Sequence, residues 1–366
     1  MNKWLGGWTK ENYAATCKDL CTCFIARGMN LAKESGYESL ITSDTCMYIS
    51  SFEKMRKEII NRTSIITFID TRGTNAHPDV FDANAGWVLW NATADGIHGS
   101  YFKLSHPIVE KEARLLEALA NPECGWFYRT ESTTFADIPG STIVYWAGDA
   151  VRRAFKSGTP IADIGQPRQG LATGKNDLFV RLWWEVSHDR EWFDCPSIEA
   201  SLESSIRWFP YNKGGEFRKW YGNNEWVINW ENDGDAVRKF SGSVIRNPQC
   251  YFRPCISWSK ISSGAIAFRY KPQGHIFDVA GTSIFADSRS LSYLLGVCNS
   301  SVMFSIASML SPTLNFEVGQ IATYPVVVDS SFENEVHEVV DDLVRSSARD
   351  WDSFETSWHF RKHPLL

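Results

Sequence analysis

The spacing of apolar residues predicts alternating helices and strands in the first third of the chain. Apolar positions recur at helical intervals over residues 9–33, 50–60 and 108–121. The strands predicted by short apolar runs are 37–42, 65–70, 87–90 and 101–104. Helix, strand, helix, strand, strand is the order in which a doubly wound α/β sheet closes, with a terminal antiparallel hairpin.

From Gln166 onward the pattern changes to short apolar strands separated by glycine turns. The predicted turns are Lys213-Gly214-Gly215, Gly222-Asn223-Asn224 and Ser262-Ser263-Gly264. A strongly apolar helix is predicted over 291–309, and an acidic amphipathic helix over 332–344. We therefore expect a mostly β region with helical additions, followed by an exposed spacer helix.

The charge of the chain is unevenly distributed. The 366 residues carry a formal net charge of −6, which by itself argues against nucleic-acid binding. Residues 151–275, however, hold 18 Lys and Arg against 13 Asp and Glu. Because salt screens charges separated by more than about 10 Å, local charge governs contact with phosphate. The segment 151–275 therefore suits a nucleic-acid interface, although two ordinary solvated surfaces also give a difference of this size.

Several function classes find no support in the sequence. Nine cysteines, an odd number in a chain of this length, do not indicate a disulfide framework. Cys17, Cys21 and Cys23 cluster, but no second Cys or His pair stands at a zinc-binding spacing, so buried thiols are the interpretation. Phosphate-binding loops, nuclease carboxylate sets and hydrolase elbows do not occur. Since no apolar run reaches the roughly 18 residues of a membrane span and the residues from Met1 to Trp4 lack a basic-then-apolar signal pattern, we expect a cytoplasmic protein without a membrane partner.

A set of motifs occurs in a specific order along the chain. Ile49–Arg56 resembles the segment that follows the catalytic tetrapeptide of amino-methyltransferases. Pro78–Phe81, followed by a strand, resembles a late methyltransferase motif with an aromatic residue beside the target base. Gln169–Asp177 resembles the first loop of the specificity domains in fused restriction–modification enzymes. The motifs that follow are Trp208–Gly215, Trp258–Ser262 and Leu294–Ser300. Together they make nearly the whole chain resemble the PglX family, the adenine-specific DNA methyltransferases of BREX phage-defence systems.

This resemblance implies a fold, a cofactor and a partner. It implies an α/β partial Rossmann-like methyltransferase lobe over 1–105, an α+β target-recognition domain over 106–328 and an acidic helical spacer over 329–366. It also implies that the complete enzyme uses S-adenosylmethionine and binds double-stranded DNA.

The chain departs from the family in its catalytic motifs. It contains no Asn-Pro-Pro-Tyr-type tetrapeptide and no glycine-rich cofactor loop. Asn121-Pro122-Glu123-Cys124 and Asn247-Pro248-Gln249-Cys250 lack the second proline and the aromatic residue. We therefore expect no catalytic residue, no cofactor and no methyl transfer in this chain alone, as in a fragment, a split subunit or a truncated relative.

Candidate site residues lie in both predicted domains. By resemblance, Phe81 is the candidate for stacking on a flipped base, and the alternative is a core phenylalanine at a strand start. Lys175 can meet a phosphate, and Asn176 can pair bidentately with adenine. The alternative for Asn176 is a glycine-rich turn in which its side chain bonds its own backbone.

Further DNA-binding candidates are cations between aromatic residues. Lys213, Arg218 and Lys219 alternate with Phe217, Trp220 and Tyr221, as in a phosphate-lined groove or in a tryptophan-rich core. The remaining candidates are Arg246, Lys260 and Arg269, which are otherwise ordinary surface cations.

The sequence thus favours the DNA-recognition part of a BREX-type N6-adenine methyltransferase. One alternative is a stand-alone DNA- or partner-binding module, including a decoy. Another is a subunit of a split enzyme, completed by a chain with the catalytic lobe or by other BREX proteins.

Overall fold

The chain has a mixed α/β fold arranged in two compact units. The computed structural model describes residues 1–71, 84–105, 111–262, 264–310, 315–363 and 365–366. The compact units are Met1–Lys156 and Ser157–Leu366. The domain boundary predicted between residues 105 and 106 falls within the first unit.

A mixed sheet organises the first unit. Its strands are β1 (Tyr37–Thr42), β2 (Ser64–Asp70), β3 (Ala85–Trp90), β4 (His98–Lys103) and β5 (Phe127–Glu131), in the spatial order β1-β3-β2-β4-β5. β3 is antiparallel to both β1 and β2, whereas β4 is parallel to β2. β1, β2 and β4 therefore share one direction. The predicted strands are confirmed, but β4 does not pair with β3 as a terminal hairpin, because β1 and β2 occupy both edges of β3.

Helices precede, separate and follow these strands along the chain. They are α1 (Lys3–Asn12), α2 (Leu20–Leu31), α3 (Glu53–Arg62), α4 (Lys111–Ala120) and α5 (Asp149–Ser157). Short 3₁₀ turns lie at Asp44–Met47, Ser50–Phe52, Ser132–Asp137 and Pro139–Ser141. α1 and α2 replace the single helix predicted over 9–33. The break arises because the side chain of Asp19 accepts a hydrogen bond from the Cys21 N–H at 2.8 Å, which starts a new helix.

The core of the first unit lies between the sheet and α3. Ile59, Phe68 and Trp87 are buried, and the rings of Phe68 and Trp87 meet edge to face with centroids 4.5 Å apart. Buried Arg56 donates hydrogen bonds to the carbonyls of Cys46, Ile49 and Gly140, which ties α3 to the turns around it. Burial lowers the pKa of Arg56 to about 10.

The second unit contains two short-stranded sheets. Its strands are β6 (Thr159–Pro160), β7 (Gln166–Arg168), β8 (Val180–Leu182), β9 (Trp208–Asn212), β10 (Trp226–Asn229), β11 (Cys255–Trp258), β12 (Phe268–Lys271), β13 (Ile276–Phe277), β14 (Ser283–Phe285) and β15 (Pro325–Val326). One sheet has the order β13-β9-β10-β8 and the other the order β12-β11-β14-β7, while β6 pairs with β15. β13 and β9 are parallel, and the other pairs in these sheets are antiparallel.

The helices of the second unit connect and cover these sheets. They are α6 (Ile161–Ile164), α7 (Asn176–Phe179), α8 (Ile198–Glu203), α9 (Glu231–Lys239), α10 (Ser288–Cys298), α11 (Ser301–Leu310), α12 (Val318–Ile321) and α13 (Glu333–Trp351). Within the described ranges, no single helix is long and apolar enough to cross a membrane. α10 and α11 reach that length and composition only as a pair, across a bend of 74°.

This bend divides the single helix predicted over 291–309. The Asn299 carboxamide accepts a hydrogen bond from the Phe268 N–H at 3.0 Å and donates one to the Phe268 carbonyl at 2.9 Å. Oγ of Ser300 then accepts from the Met303 N–H and caps α11. The Asn299 side chain therefore pairs with the backbone of β12, and α10 ends next to it.

α13 extends well beyond the predicted 332–344 and is not wholly exposed. Val340 and Trp351 are buried, and Gly296 of α10 gives Val336 and Val340 room to approach. The apolar side of α13 packs on α10, so this helix takes part in the core of the second unit.

Candidate nucleic-acid interface

Three parallel segments of the second unit end side by side. Leu171 forms a parallel bridge with Asp278, and β13 is parallel to β9. The Leu171 N–H donates to Phe277 O, and the Asp278 N–H donates to Asn212 O, each at 2.9 Å. The loop 173–176 and the turns 278–281 and 213–215 follow these segments, so they meet at one edge.

The second sheet reaches the same edge through the turn 278–281. Ser259 and Lys260 follow β11, and the Lys260 N–H donates to the Ala280 carbonyl at 2.9 Å. Oγ of Ser259 donates to the Gly215 carbonyl at 2.7 Å. We call residues 173–176, 213–217, 259–261 and 278–281 the loop edge.

The loop 173–176 depends on a glycine at its centre. Gly174 has φ of +71°, and a methyl group there would overlap the backbone of Gly242. Lys175 and Asn176 are exposed beside it. The Thr173 hydroxyl donates to Oδ1 of Asn176 at 2.6 Å. A neighbouring side chain, and not the backbone of Asn176 itself, thus orients this carboxamide.

Lys213 and Lys260 supply cations to the loop edge. Nζ of Lys213 lies 4.6 Å from the ring centre of Trp226, a distance that suits a cation–π contact. Burial raises the pKa of nearby Asp278. The hydrogen bond with the Tyr211 hydroxyl and the positive charge of Lys213 act in the opposite direction and lower that pKa. Lys260 pairs with partly exposed Glu317 at 3.1 Å. Within the described ranges Lys213 forms no ion pair, and a phosphate at Lys260 would compete with Glu317.

Three other predicted cations are committed to contacts within the unit. Nη1 of Arg218 lies 3.1 Å from Oδ2 of Asp350 in α13. Nζ of Lys219 donates to the Asn299 carbonyl at 2.8 Å, at the end of α10. Arg269 is fully buried on β12, and burial lowers its pKa to about 10. The sequence placed all three among DNA contacts, but backbone and carboxylate acceptors from distant segments surround them.

Arg246 lies away from the loop edge. The bridge between Val244 and Ala172 is antiparallel, so the chain runs from the loop edge toward Arg246. Next to it, Nδ2 of Asn247 donates to the Gln169 carbonyl at 2.9 Å. The half-buried Arg246 guanidinium makes no hydrogen bond or ion pair with the described part of the chain.

Lys271 is a buried cation that the sequence interpretation missed. Its Nζ donates to the carbonyls of Gly222 and Asn223 at 2.8 and 2.9 Å, and to the side chain of Asn224. Burial holds its pKa well below the usual range. Arg269 and Lys271 stand two residues apart on β12 and so share one face of the strand. This two-residue spacing is the sequence signal that could have indicated that both cations donate to the same loop, residues 216–224.

The carboxyl ends of β1, β2 and β4 are a second candidate site, because ligands of doubly wound sheets bind there. The Tyr145 hydroxyl donates to Oδ2 of buried Asp70 at 2.9 Å, and Nζ of Lys103 lies 4.5 Å from the Trp146 ring centre. Phe81, the predicted stacking residue, lies outside the described residues.

These residues do not fit S-adenosylmethionine by themselves. Between Ser43 and Phe52 the chain contains no glycine, and a 3₁₀ turn follows β1 in place of a glycine-rich turn into a helix. A cavity of about 360 Å³ lies instead at the amino-terminal ends of β2 and β4, lined by residues that include Asn61, Ser64, Thr93 and Ser132. The described residues of the first unit therefore do not build a cofactor site without further residues.

Metal-binding geometry is not found within the described ranges, where no group of three or more His, Cys, Asp or Glu converges. All nine cysteines are free thiols, and Cys46, Cys195, Cys250, Cys255 and Cys298 are among the buried ones.

Known proteins resemble the chain in sequence and in fold. The sequence model of the Eco57I restriction-modification methylase family matches residues 2–77. The adenine-specific methyltransferase PglX of Lacticaseibacillus casei (strain Zhang) is 36% identical over 378 residues, which cover 100% of this chain and 31% of that protein. The adenine-specific methyltransferase BrxX of Escherichia coli O9:H4 (strain HS) is 31% identical over 373 residues, covering 100% of this chain and 29% of that protein.

One solved structure supports the fold. The type IIL restriction-modification enzyme MmeI, solved in complex with DNA, superposes with a TM-score of 0.59 at 8% identity, covering 98% of this chain and 49% of that one. The chain spans less than a third of the length of the curated relatives it matches. The resemblance seen in the motifs is confirmed: over all of its own length, this chain is similar to the PglX-type adenine-specific methyltransferases.

Proposed function

We propose that this chain is the DNA-sequence-recognition part of a BREX-type adenine-specific (N6) DNA methyltransferase, and that it does not transfer methyl groups by itself. One observation carries the proposal. Lys175, Asn176, Lys213 and Lys260 come from three separate segments, yet the strand pairing brings them to one loop edge. An MmeI-like fold and relatives that are adenine-specific methyltransferases support the same function.

The loop edge has the chemistry that duplex DNA requires. Lysine ammonium groups neutralise phosphates, while a carboxamide reads the N6 and N7 edge of adenine. Bidentate pairing with adenine uses both Oδ1 and Nδ2 of the Asn176 carboxamide. The Thr173 hydroxyl already donates a hydrogen bond to Oδ1. The Thr173 hydroxyl would therefore rotate away, or share that oxygen, when adenine binds.

The proposed lack of catalysis follows from the first unit. Its described residues supply no glycine-rich turn after β1, and the chain carries no Asn-Pro-Pro-Tyr-type tetrapeptide. In this proposal, residues 1–105 are the late half of a methyltransferase lobe, 106–328 carry target recognition and 329–366 form a spacer whose helix α13 packs on α10. The complete enzyme would use S-adenosylmethionine as its methyl donor.

A split methyltransferase is the second candidate function, and the outer edge of β1 favours it. Among the described residues no strand pairs with that edge, and Tyr37 and Ile41 on β1 are 66% and 74% exposed. An open strand edge with exposed apolar residues pairs readily with another chain. The partner would carry the catalytic lobe.

Salt-dependent DNA binding tests the proposed function. Because each lost phosphate contact lowers the salt slope by roughly 0.9, Lys175→Ala combined with Lys213→Ala should reduce that slope by about 2. Lys57→Ala with Arg345→Ala is the matched control, since both cations are exposed, pair with carboxylates of their own helices and are not loop-edge residues. An unchanged slope in the first double variant would contradict the assignment of this edge.

Methyl transfer is tested on the same preparation. Purified chain, duplex DNA and labelled S-adenosylmethionine should give no transfer above background. Clear transfer would refute the proposed lack of catalysis. Copurification with a chain bearing an Asn-Pro-Pro-Tyr-type motif, abolished by Tyr37→Glu with Ile41→Glu, would establish the split enzyme instead.

A further inference from the structure

Phe217 on the loop edge is exposed although the backbone around it is firmly held. Its exposed fraction is 57%. Nη1 of buried Arg269 donates hydrogen bonds to the carbonyls of Glu216 and Arg218, at 3.4 and 3.3 Å. These two residues flank Phe217 on either side. Nη2 of Arg269 donates to Oγ of Ser259 at 3.0 Å. The peptide units next to Phe217 are therefore fixed from inside the protein.

A second buried cation and a strained residue hold the rest of the loop. Lys271 donates to the carbonyls of Gly222 and Asn223. Trp220 lies between the loop residues bonded to Arg269 and those bonded to Lys271. Its φ is +71°, a left-handed conformation that bulky residues rarely adopt. Within the described ranges no carboxylate lies within ion-pair distance of Arg269 or Lys271, although burying an unpaired cation is costly. The loop is thus stabilised in one conformation, and that conformation presents Phe217 to solvent.

The surroundings of Phe217 indicate its partner. Lys213 precedes it in the same loop, and Lys260 lies on the neighbouring one. Protein surfaces that bind nucleic acids combine cations, which contact phosphates, with aromatic rings, which stack on bases. Proteins that bend duplex DNA insert an apolar side chain between neighbouring bases. An aromatic ring on a preorganised loop loses little conformational freedom when it does so.

We propose that Phe217 is a wedge that inserts into the base stack of duplex DNA bound at the loop edge, with Arg269 and Lys271 as its positioning residues. This inference rests on the proposed function, because it requires DNA at the loop edge. It adds that the chain deforms the duplex, so that the ease of unstacking contributes to the choice of site.

A mismatched duplex tests the wedge without knowledge of the recognised sequence. Fluorescence anisotropy compares a labelled duplex with the same duplex carrying one central mismatch, whose bases unstack more easily. The wild type should bind the mismatched duplex several-fold more tightly. Phe217→Ala should weaken binding about tenfold and lose that preference, because a stacking contact is removed. Phe217→Tyr should retain both.

Phe332→Ala is the matched control. Phe332 has the same exposed fraction of 57% and lies directly before α13. The Phe332→Ala variant should bind both duplexes as the wild type does. If Phe217→Ala also matches the wild type on both duplexes while binding stays salt-sensitive, the wedge is wrong and the proposed function stands. If the wild type binds neither duplex in a salt-sensitive manner, the proposed function itself fails.

Discussion

The carboxylate of Glu38 on β1 packs against Gly28 of α2, in the space that a methyl group at residue 28 would occupy. Both carboxylate oxygens are buried, and neither has a hydrogen-bond partner among the described residues. Burial raises the pKa of Glu38 to about 7. An acidic side chain thus occupies a site on β1 that favours its neutral form.

Glu38→Gln should therefore stabilise the first unit above neutral pH. Because the folded pKa lies above the unfolded one, the favourable contribution of the protonated form is present below about pH 4.5 and lost as pH rises through about 7. At pH 8 the free energy of unfolding should rise by about 1–2 kcal/mol in Glu38→Gln. Denaturant unfolding measured at pH 4.5 and pH 8 checks this. The exposed Glu58→Gln is the control, and an equal effect at both pH values would count against the buried carboxylate.

His275 should make the second unit acid-sensitive. It is buried, its Nδ1 lies 3.1 Å from the Pro272 carbonyl, and burial lowers its pKa to about 3. Since the unfolded pKa is near 6.5, the stability of the neutral form is present above that pH and lost as pH falls toward 3. His275→Gln should flatten the pH dependence of the free energy of unfolding between pH 4 and 6, by about 1 kcal/mol per pH unit. His359→Gln, at an exposed position without an ion pair among the described residues, should leave the wild-type slope, and a wild-type slope in His275→Gln would be the contrary result.

Gly174→Ala should damage the loop edge without unfolding the chain. The residue has φ of +71°, and the added methyl would overlap the Gly242 backbone, so the loop 173–176 must move. We expect a loss of about 1–3 kcal/mol in the free energy of unfolding. Weaker DNA binding should accompany it, because Lys175 is displaced. Gly319→Ala, where nothing lies within 4 Å, is the control. Wild-type DNA affinity in Gly174→Ala would show that this loop does not contact DNA.

Regular elements of the first unit were predictable because their apolar spacing is strong. β1, β2 and α3 lie close to the predicted segments. The breaks were not predictable, because side chains that pair with distant backbone create them. Asn299 ends α10 by bonding both backbone groups of Phe268, more than thirty residues away.

The candidate site was predictable only in part. Lys175 and Asn176 could be selected because a glycine beside them indicates a tight loop. Arg269 looked equivalent to Lys260 in sequence, but its acceptors are carbonyls of a loop some fifty residues away. No local pattern separates a cation that fixes a loop from one that faces solvent.

The turn 278–281 has a consequence for the proposed DNA recognition. It bonds through backbone groups to the segments before the loop 173–176 and the turn 213–215, and to Lys260. These bonds tolerate different side chains at the loop 173–176 and the turn 213–215, except at Gly174, Gly214 and Gly281, where a methyl group would overlap backbone atoms. Under the proposed function, the other positions of the loop 173–176 and the turn 213–215 can change independently while the scaffold stays intact, so that small substitutions would give new target sites.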